Sequence, residues 1–339
     1  MHRHRIDGPA SRSGRQSEAP ALRDKLASPN NLTRRHFYLP ALVAGMAVIL
    51  SGYPAYGSEQ PTVPYTIPFI DVAGEIDRQV IVAQGTKTEY RGQVNTVLMK
   101  DGHTIFAVWS IGHGGKCGLM KKSEDGGLTW IDMLPTPQNW LTVKSCPCIF
   151  RLTDTSGVER MFVIAGNPKL YQSMSLDEGK TWTPMKWNGL YKPGGNTTII
   201  PVEGGHKHLM HVQHKSHEKQ SRYTVWQAIS SDGGLTWDDY REVCGVPDAD
   251  PCEPCLVRSP NGRQLLCLMR ENSSVYDNRL NSLMMTSDDE GKTWSKAKEV
   301  TGSLTGHRHV AAYAPDLPPR VKPTFKLHSW GFPLTACGA

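Results

Sequence analysis

The sequence predicts an all-β propeller, and three observations predict it. Four octapeptides share the template Ser-x-Asp-x-Gly-x-Thr-Trp, with their aspartates 52, 55 and 57 residues apart. Short apolar runs around turn dipeptides fill the intervals. No window after residue 58 reads as a long amphipathic helix. A unit of roughly 50 residues with short strands is the size of a propeller blade.

The boxes are Ser123-Glu-Asp125-Gly-Gly127-Leu-Thr129-Trp130, Ser175-Leu-Asp177-Glu-Gly179-Lys-Thr181-Trp182, Ser230-Ser-Asp232-Gly-Gly234-Leu-Thr236-Trp237 and Ser287-Asp-Asp289-Glu-Gly291-Lys-Thr293-Trp294. Asp125, Asp177, Asp232 and Asp289 are expected to be structural. Asp and Ser/Thr side chains bond nearby backbone N–H groups and close a tight turn. Glycine supplies backbone geometry that side chains forbid. The tryptophan offers a flat surface for packing, so burial is expected of it. Between boxes, Thr96 to Trp109 reads as a hairpin about Lys-Asp-Gly. Cys255 to Met269 repeats the device about Ser-Pro-Asn-Gly.

Ahead of the blades, residues 1–57 read as an extension plus an export signal. Arg34-Arg35 is a twin-arginine pair. An uncharged apolar run from Phe37 to Leu50 follows, then Ala55-Tyr56-Gly57 as a cleavage site. A run of about 14 residues falls short of the roughly 20 that span a bilayer, so no stable membrane span is expected after cleavage. The chain is therefore expected to be exported, periplasmic or extracellular.

The formal charge of +6 sits mostly in this leader, which holds eight Lys/Arg against three Asp/Glu. The remaining residues hold 30 against 29. Nucleic acid is not an expected partner. Eight cysteines in an exported chain could pair. Cys146-Pro147-Cys148 and Cys252-Glu253-Pro254-Cys255 each open an apolar run, however, and read more simply as small buried residues at strand starts. His206, His208, His211, His214 and His217 share no single strand or helix face, so that stretch reads as a polar strand-loop segment. No metal and no cofactor is expected.

The boxes resemble the Asp-boxes, or BNR repeats, of the sialidase (neuraminidase) superfamily. The similarity runs from about Thr88 to Asp316. It implies a six-bladed propeller in the family, of which four to five blades are present here. It also implies an exo-α-sialidase-like glycoside hydrolase that releases terminal sialic or related acidic sugars from glycans. Such enzymes grip the sugar carboxylate with three arginines, because guanidinium binds carboxylates bidentately and keeps its charge. They attack with a tyrosine whose proton a glutamate takes, and an aspartate serves as acid/base.

Carried over position by position, Glu89-Tyr90-Arg91-Gly92-Gln93 resembles the aromatic-Arg-Ile-Pro motif, with Gly-Gln replacing Ile-Pro. Arg91 is then the first carboxylate-binding arginine. Cys252-Glu253-Pro254 stands where the family has its Glu-Pro, making Glu253 the partner of the nucleophile. Leu268-Met269-Arg270-Glu271-Asn272 ends the next strand and offers Arg270 as the second arginine. Arg308 is the third-arginine candidate. No aspartate occupies the expected acid/base position, where Ser110-Ile-Gly-His113-Gly-Gly-Lys116-Cys117 stands instead. His113 is the substitute candidate, since imidazole titrates near neutral pH. No tyrosine follows Tyr313, so the family's nucleophile has no clear counterpart.

Residues 58–316 are thus expected to form an incomplete propeller. Six blades at this period need about 330 residues, whereas Gly85 to Asp316 spans 232. From Leu317 to Ala339 there are four prolines, no acid and no box. That stretch is expected to be an irregular, non-blade tail, as a frameshifted or misplaced gene end would give. The alternative to an enzyme is a weak or inactive sialidase-like propeller that binds a glycan or protein without cleaving it. A third reading is a damaged gene product.

Overall fold

The four octapeptides close four identical turns. In each, the serine hydroxyl donates to the aspartate and accepts the N–H of the second glycine or its equivalent. For the second box these contacts are Ser175 Oγ to Asp177 Oδ1 at 2.8 Å and Gly179 N–H to Ser175 Oγ at 2.9 Å. The aspartate then takes the Thr181 N–H at 2.8 Å and the Thr181 hydroxyl at 2.6 Å. These bonds hold the carboxyls of Asp125, Asp177 and Asp289 down at about 2.

The computed structural model describes residues 74–191, 193–215, 222–247, 249–273, 281–300, 307–313 and 325–330. The expected leader lies outside the described residues. So do His217 and the eighth cysteine, Cys337. No described helix is long and apolar enough to cross a membrane.

Seventeen described strands form five antiparallel sheets in chain order. The first is β1 (Arg91–Leu98), β2 (Ile105–Ile111) and β3 (Lys116–Ser123). The second is β4 (Cys148–Thr153), β5 (Glu159–Ala165), β6 (Lys169–Ser175) and β7 (Lys186–Tyr191). The third is β8 (Pro193–Val202), β9 (Lys207–Lys215), β10 (Tyr223–Ser230) and β11 (Asp238–Cys244). The fourth is β12 (Pro251–Arg258), β13 (Leu265–Glu271), β14 (Leu283–Ser287) and β15 (Lys298–Glu299). The fifth is β16 (His307–Tyr313) with β17 (Phe325–Trp330). This is a nearly all-β chain with four blades in propeller arrangement and a fifth sheet of two strands.

That last pairing corrects one expectation. Within the stretch from Leu317 onward, Phe325–Trp330 is a strand, with Tyr313 opposite Phe325 and His307 opposite Trp330. Phe325-Lys-Leu-His alternates with strand period, a short signal outweighed in the sequence by the prolines around it.

Core clusters lie between successive blades. Phe106, Met120, Trp140 and Met161 join the first to the second. Phe162, Leu170, Met210 and Val212 join the second to the third, and Leu209, Val225, Leu265 and Met269 join the third to the fourth. The box glycines are part of this packing. A Cβ at Gly179 would stand 2.7 Å from the Phe106 ring of the preceding blade, and one at Gly291 would stand 2.9 Å from Leu209. Of the box tryptophans only Trp237 is fully buried. Trp130, Trp182 and Trp294 are half-buried; the first two bond the Gly127 and Gly179 carbonyls of their own turns, and Trp294 reaches Gln227 of the preceding blade.

Of the polar strand-loop segment expected around the histidines, the described part from Lys207 to Lys215 is strand, and it is largely buried rather than solvent-facing. His208, His211 and His214 are all buried in β9, a strand covered on both faces by neighbouring blades, where alternation has no meaning. His211 Nε2 lies 3.3 Å from Gln227 Oε1, and its ring packs 4.7 Å from that of Trp294. Seven cysteines are buried and unpaired. Among the described residues no group of His, Cys, Asp or Glu converges as metal ligands.

Candidate functional site at the propeller axis

The innermost strands carry the site because they are bulged. Register shifts fall between Gly92 and Asn95 in β1, Cys252 and Cys255 in β12, and His307 and Val310 in β16. The first bulged residues are therefore equivalent: Gln93 (φ 58°), Glu253 (φ 49°) and Arg308 (φ 46°). Non-glycine residues seldom adopt positive φ, and bulges re-aim side chains next to sites. Side chains of the inner strands lace neighbouring blades together. Asn95 Oδ1 accepts the Ile149 N–H of β4 at 2.9 Å, and Thr198 Oγ1 accepts the Leu256 N–H of β12 at 3.2 Å.

A cavity of about 380 Å³ lies among β1, β4, β8, β12 and β16. Tyr90, Arg91, Gln93, Asn196 and Arg308 supply its polar end. Phe150, Leu256 and Val310 supply apolar wall. A second cleft, of about 470 Å³, lies between the first two blades at the box end, lined by Lys100, Lys122, Glu159 and Glu178. Lys100 there pairs with Glu159 at 3.3 Å and Lys122 with Glu124 at 2.6 Å, so its ammonium groups are largely matched within the protein.

At the axis the charges interlock. Glu253 Oε2 accepts the Arg308 backbone N–H at 2.9 Å and lies 3.5 Å from Arg270 Nη1. The Glu253 N–H donates to Gln213 Oε1 at 2.9 Å, and Gln213 Nε2 donates to the Gly194 carbonyl at 2.9 Å. Arg308 Nη2 donates to Asn196 Oδ1 at 3.0 Å. Arg91 is paired with Glu89.

Burial, then the charge of Arg270, holds the His307 imidazole below its ordinary range, with Glu253 opposing. Burial raises the phenols of Tyr90 and Tyr223. Arg308 opposes the shift at Tyr90. Asp250 and Glu253 add to it at Tyr223. Both phenols therefore stay protonated near neutral pH.

Of the sequence-derived candidates, Arg91 and Arg308 line the cavity together. Glu253 and Arg270 stand beside it, joined to it through the Arg308 N–H. His113 is exposed on the loop between β2 and β3. That loop is tied down by Gln93 Oε1, which accepts the Gly114 N–H at 2.8 Å and the Ser110 hydroxyl at 3.0 Å. Sequence reasoning missed Asn196, His307 and Tyr223. Adjacency to the Arg308 candidate was the one sequence signal pointing to His307.

A BNR repeat-like domain matches residues 147–304. No curated protein matches the chain. Among solved structures, a protein of unknown function from Dyadobacter fermentans superposes with a TM-score of 0.55 at 17% identity, over 69% of this chain and 75% of that one. The α-L-arabinanase of Penicillium chrysogenum, complexed with arabinobiose, gives 0.53 at 13% identity over 74% and 79%. The K499G mutant of NanB sialidase from Streptococcus pneumoniae gives 0.50 at 12% identity over 75% and 60%. At these identities the likeness is one of fold.

Proposed function

We propose that this β-propeller, whose residues 147–304 match a BNR repeat-like domain, is an exported glycoside hydrolase acting on glycans that end in sialic or related acidic sugars. The observation that carries this reading is the meeting of Arg91 and Arg308 on one axial cavity beside the Glu253 carboxylate. Two guanidinium groups suit a sugar carboxylate. The recorded side-chain partner of Arg308 is the neutral Asn196, an acceptor that an anionic ligand outcompetes.

Hydrolysis breaks a glycosidic C–O bond and adds water across it. One group must protonate the leaving oxygen and another must activate the attacking one. Glu253 is the carboxylate assigned to accept a proton from a phenol or water. Tyr90 lines the cavity and Tyr223 lies near Glu253. Both arabinan and sialoside enzymes share the fold, which supports a carbohydrate ligand. The choice of an acidic sugar rests on the arginines. The leader of residues 1–57 supports export.

One observation favours a second reading, glycan binding without cleavage: Arg91, Arg270 and Arg308 each already hold a protein acceptor. Purified protein is to be offered a fluorogenic α-sialoside and an α-L-arabinofuranoside, with sialoside binding followed by calorimetry. Sialoside turnover lost in Arg308→Ala and Glu253→Gln supports the hydrolase. Binding with no turnover supports the second reading. Turnover of the arabinoside alone overturns the acidic-sugar assignment.

A further inference from the structure

Thr197 and His309 line the axial cavity, and each carries a buried polar atom, Thr197 Oγ1 and His309 Nδ1, left without a hydrogen-bond partner. Each residue is only 4% exposed, and both line the cavity. They follow directly after Asn196 and Arg308, the pair that links β8 to β16 at 3.0 Å. His309 Nε2 contacts Ser282 Oγ at 2.7 Å, which fixes the ring and leaves Nδ1 as its remaining polar edge. Other unpartnered buried atoms, Tyr240 Oη and Trp109 Nε1 among them, belong to residues outside the cavity lining.

A buried polar atom with no partner is a standing cost to the fold, tolerated where a ligand or ordered water completes it. Burial also depresses protonation of His309, so its ring is neutral. The pair is then neutral on both sides and suits no second carboxylate, whose desolvation nothing here would offset. A threonine hydroxyl both donates and accepts. A neutral ring nitrogen does one or the other, by tautomer. A ligand hydroxyl matches either case. A turn about Thr197 χ1 exchanges its methyl and hydroxyl positions.

We propose that Thr197 and His309 form a hydroxyl-binding subsite in the axial cavity, seating a hydroxyl of the same acidic sugar whose carboxylate Arg308 holds. The inference rests on the acidic-sugar reading above and adds to it a second anchor point.

The test uses the full chain, two probes and thermal melting. N-acetylneuraminic acid carries carboxylate and hydroxyls. Cyclohexanecarboxylate carries the carboxylate alone. Thr197→Val should weaken N-acetylneuraminic acid by about tenfold, the worth of one hydrogen bond, and leave cyclohexanecarboxylate unchanged. Its melting temperature should hold or rise, because an unpartnered hydroxyl has been removed. Thr197→Ser should keep the affinity. Unchanged affinity in Thr197→Val, equal losses for both probes, or a fall in melting temperature overturns the subsite. If Arg308→Ala weakens both probes while Thr197→Val weakens neither, the carboxylate reading stands and the subsite falls. If the wild-type chain binds neither probe, the acidic-sugar reading falls and takes the subsite with it.

Discussion

Arg308 Nη2 donates to Asn196 Oδ1 at 3.0 Å, so a guanidinium of the fifth sheet reaches the third sheet past the inner strand of the fourth. The same residue's backbone N–H is held by Glu253 of that fourth sheet. One bulged residue thus binds to two sheets, by main chain and by side chain. Replacing Arg308 with alanine keeps the main-chain bond and removes the cation. Sialoside binding should fall at least tenfold with little change in melting temperature. Arg308→Lys should recover only part of the affinity, because an ammonium lacks the planar fork. Full recovery by lysine would show that charge alone matters.

Glu253 separates stability from chemistry. Glu253→Ala leaves Arg270, 15% exposed, without its anion and the Arg308 N–H without its acceptor. Stability should fall by about 2–4 kcal/mol. Glu253→Gln keeps an acceptor and the shape, so the loss should be smaller, while sialoside turnover should drop by roughly a hundredfold or more. Denaturant titration and kcat measured on both variants test this. Equal turnover in Glu253→Gln and wild type would remove Glu253 from the chemistry.

Gly179 and Gly127 isolate the packing between blades. Both have positive φ, at 83° and 95°. Alanine at either bears a similar backbone cost of about 1 kcal/mol. At Gly179 the new methyl meets the Phe106 ring at 2.7 Å, whereas at Gly127 the nearest atom, of Ile105, is 3.8 Å away. Gly179→Ala should therefore be the more destabilising by about 1–3 kcal/mol. Equal effects in urea unfolding would mean that the blade boundary yields freely.

Acid should weaken the fold before it reaches the carboxylates. His211 is fully buried and burial pushes its pKa down to about 3. Between that value and the ordinary 6.5, the unfolded chain binds a proton that the folded chain does not. Stability is therefore complete above about pH 6.5 and declines as pH falls, by about 1.4 kcal/mol per unit for this one residue. Burial shifts His208 and His309 in the same direction. The box carboxylates, held at about 2, add their losses only below about pH 4. Urea midpoints at pH 7, 6 and 5 check the slope, which should be shallower in His211→Gln.

Six of the seven buried thiols should be inert in the native state. Burial raises the pKa of Cys146, Cys244 and Cys255 to about 11, and pushes Cys117, Cys252 and Cys267 higher still. Thiolate is the reactive form. A thiol-disulfide reagent should label these cysteines only on unfolding. Rapid native labelling at Cys146, the one whose shift Arg308 opposes, would show that the axial cavity opens to solvent.

The box period made the blades legible, because five residue types recur in one local turn and need no distant partner. The inner-strand positions of Glu253 and Arg308 were legible for a related reason: each stands near the start of a strand whose place follows from the period. Their partners were not. Asn196 and Gln213 bond Arg308 and Glu253, 112 and 40 positions away, through bulges that leave no mark in hydropathy. His211 misled because a strand covered on both faces gives no alternation. Phe325–Trp330 was hidden by neighbouring prolines.

The boxes also set the order in which the chain can build itself. Trp237 Nε1 donates to Gln172 Oε1 at 3.2 Å and Trp294 Nε1 donates to Gln227 Oε1 at 2.9 Å. Gly179, Gly234 and Gly291 rest on side chains of the preceding sheet. Every one of these contacts points backward, to residues a ribosome has already released. Each closes a loop of moderate length, and loop closure grows only slowly in cost with length. A nascent blade can thus dock on a finished template as it emerges. Assembly is then expected to run from the N-terminal side outward, so that a pause in synthesis leaves a ladder of completed sheets rather than a collapsed chain.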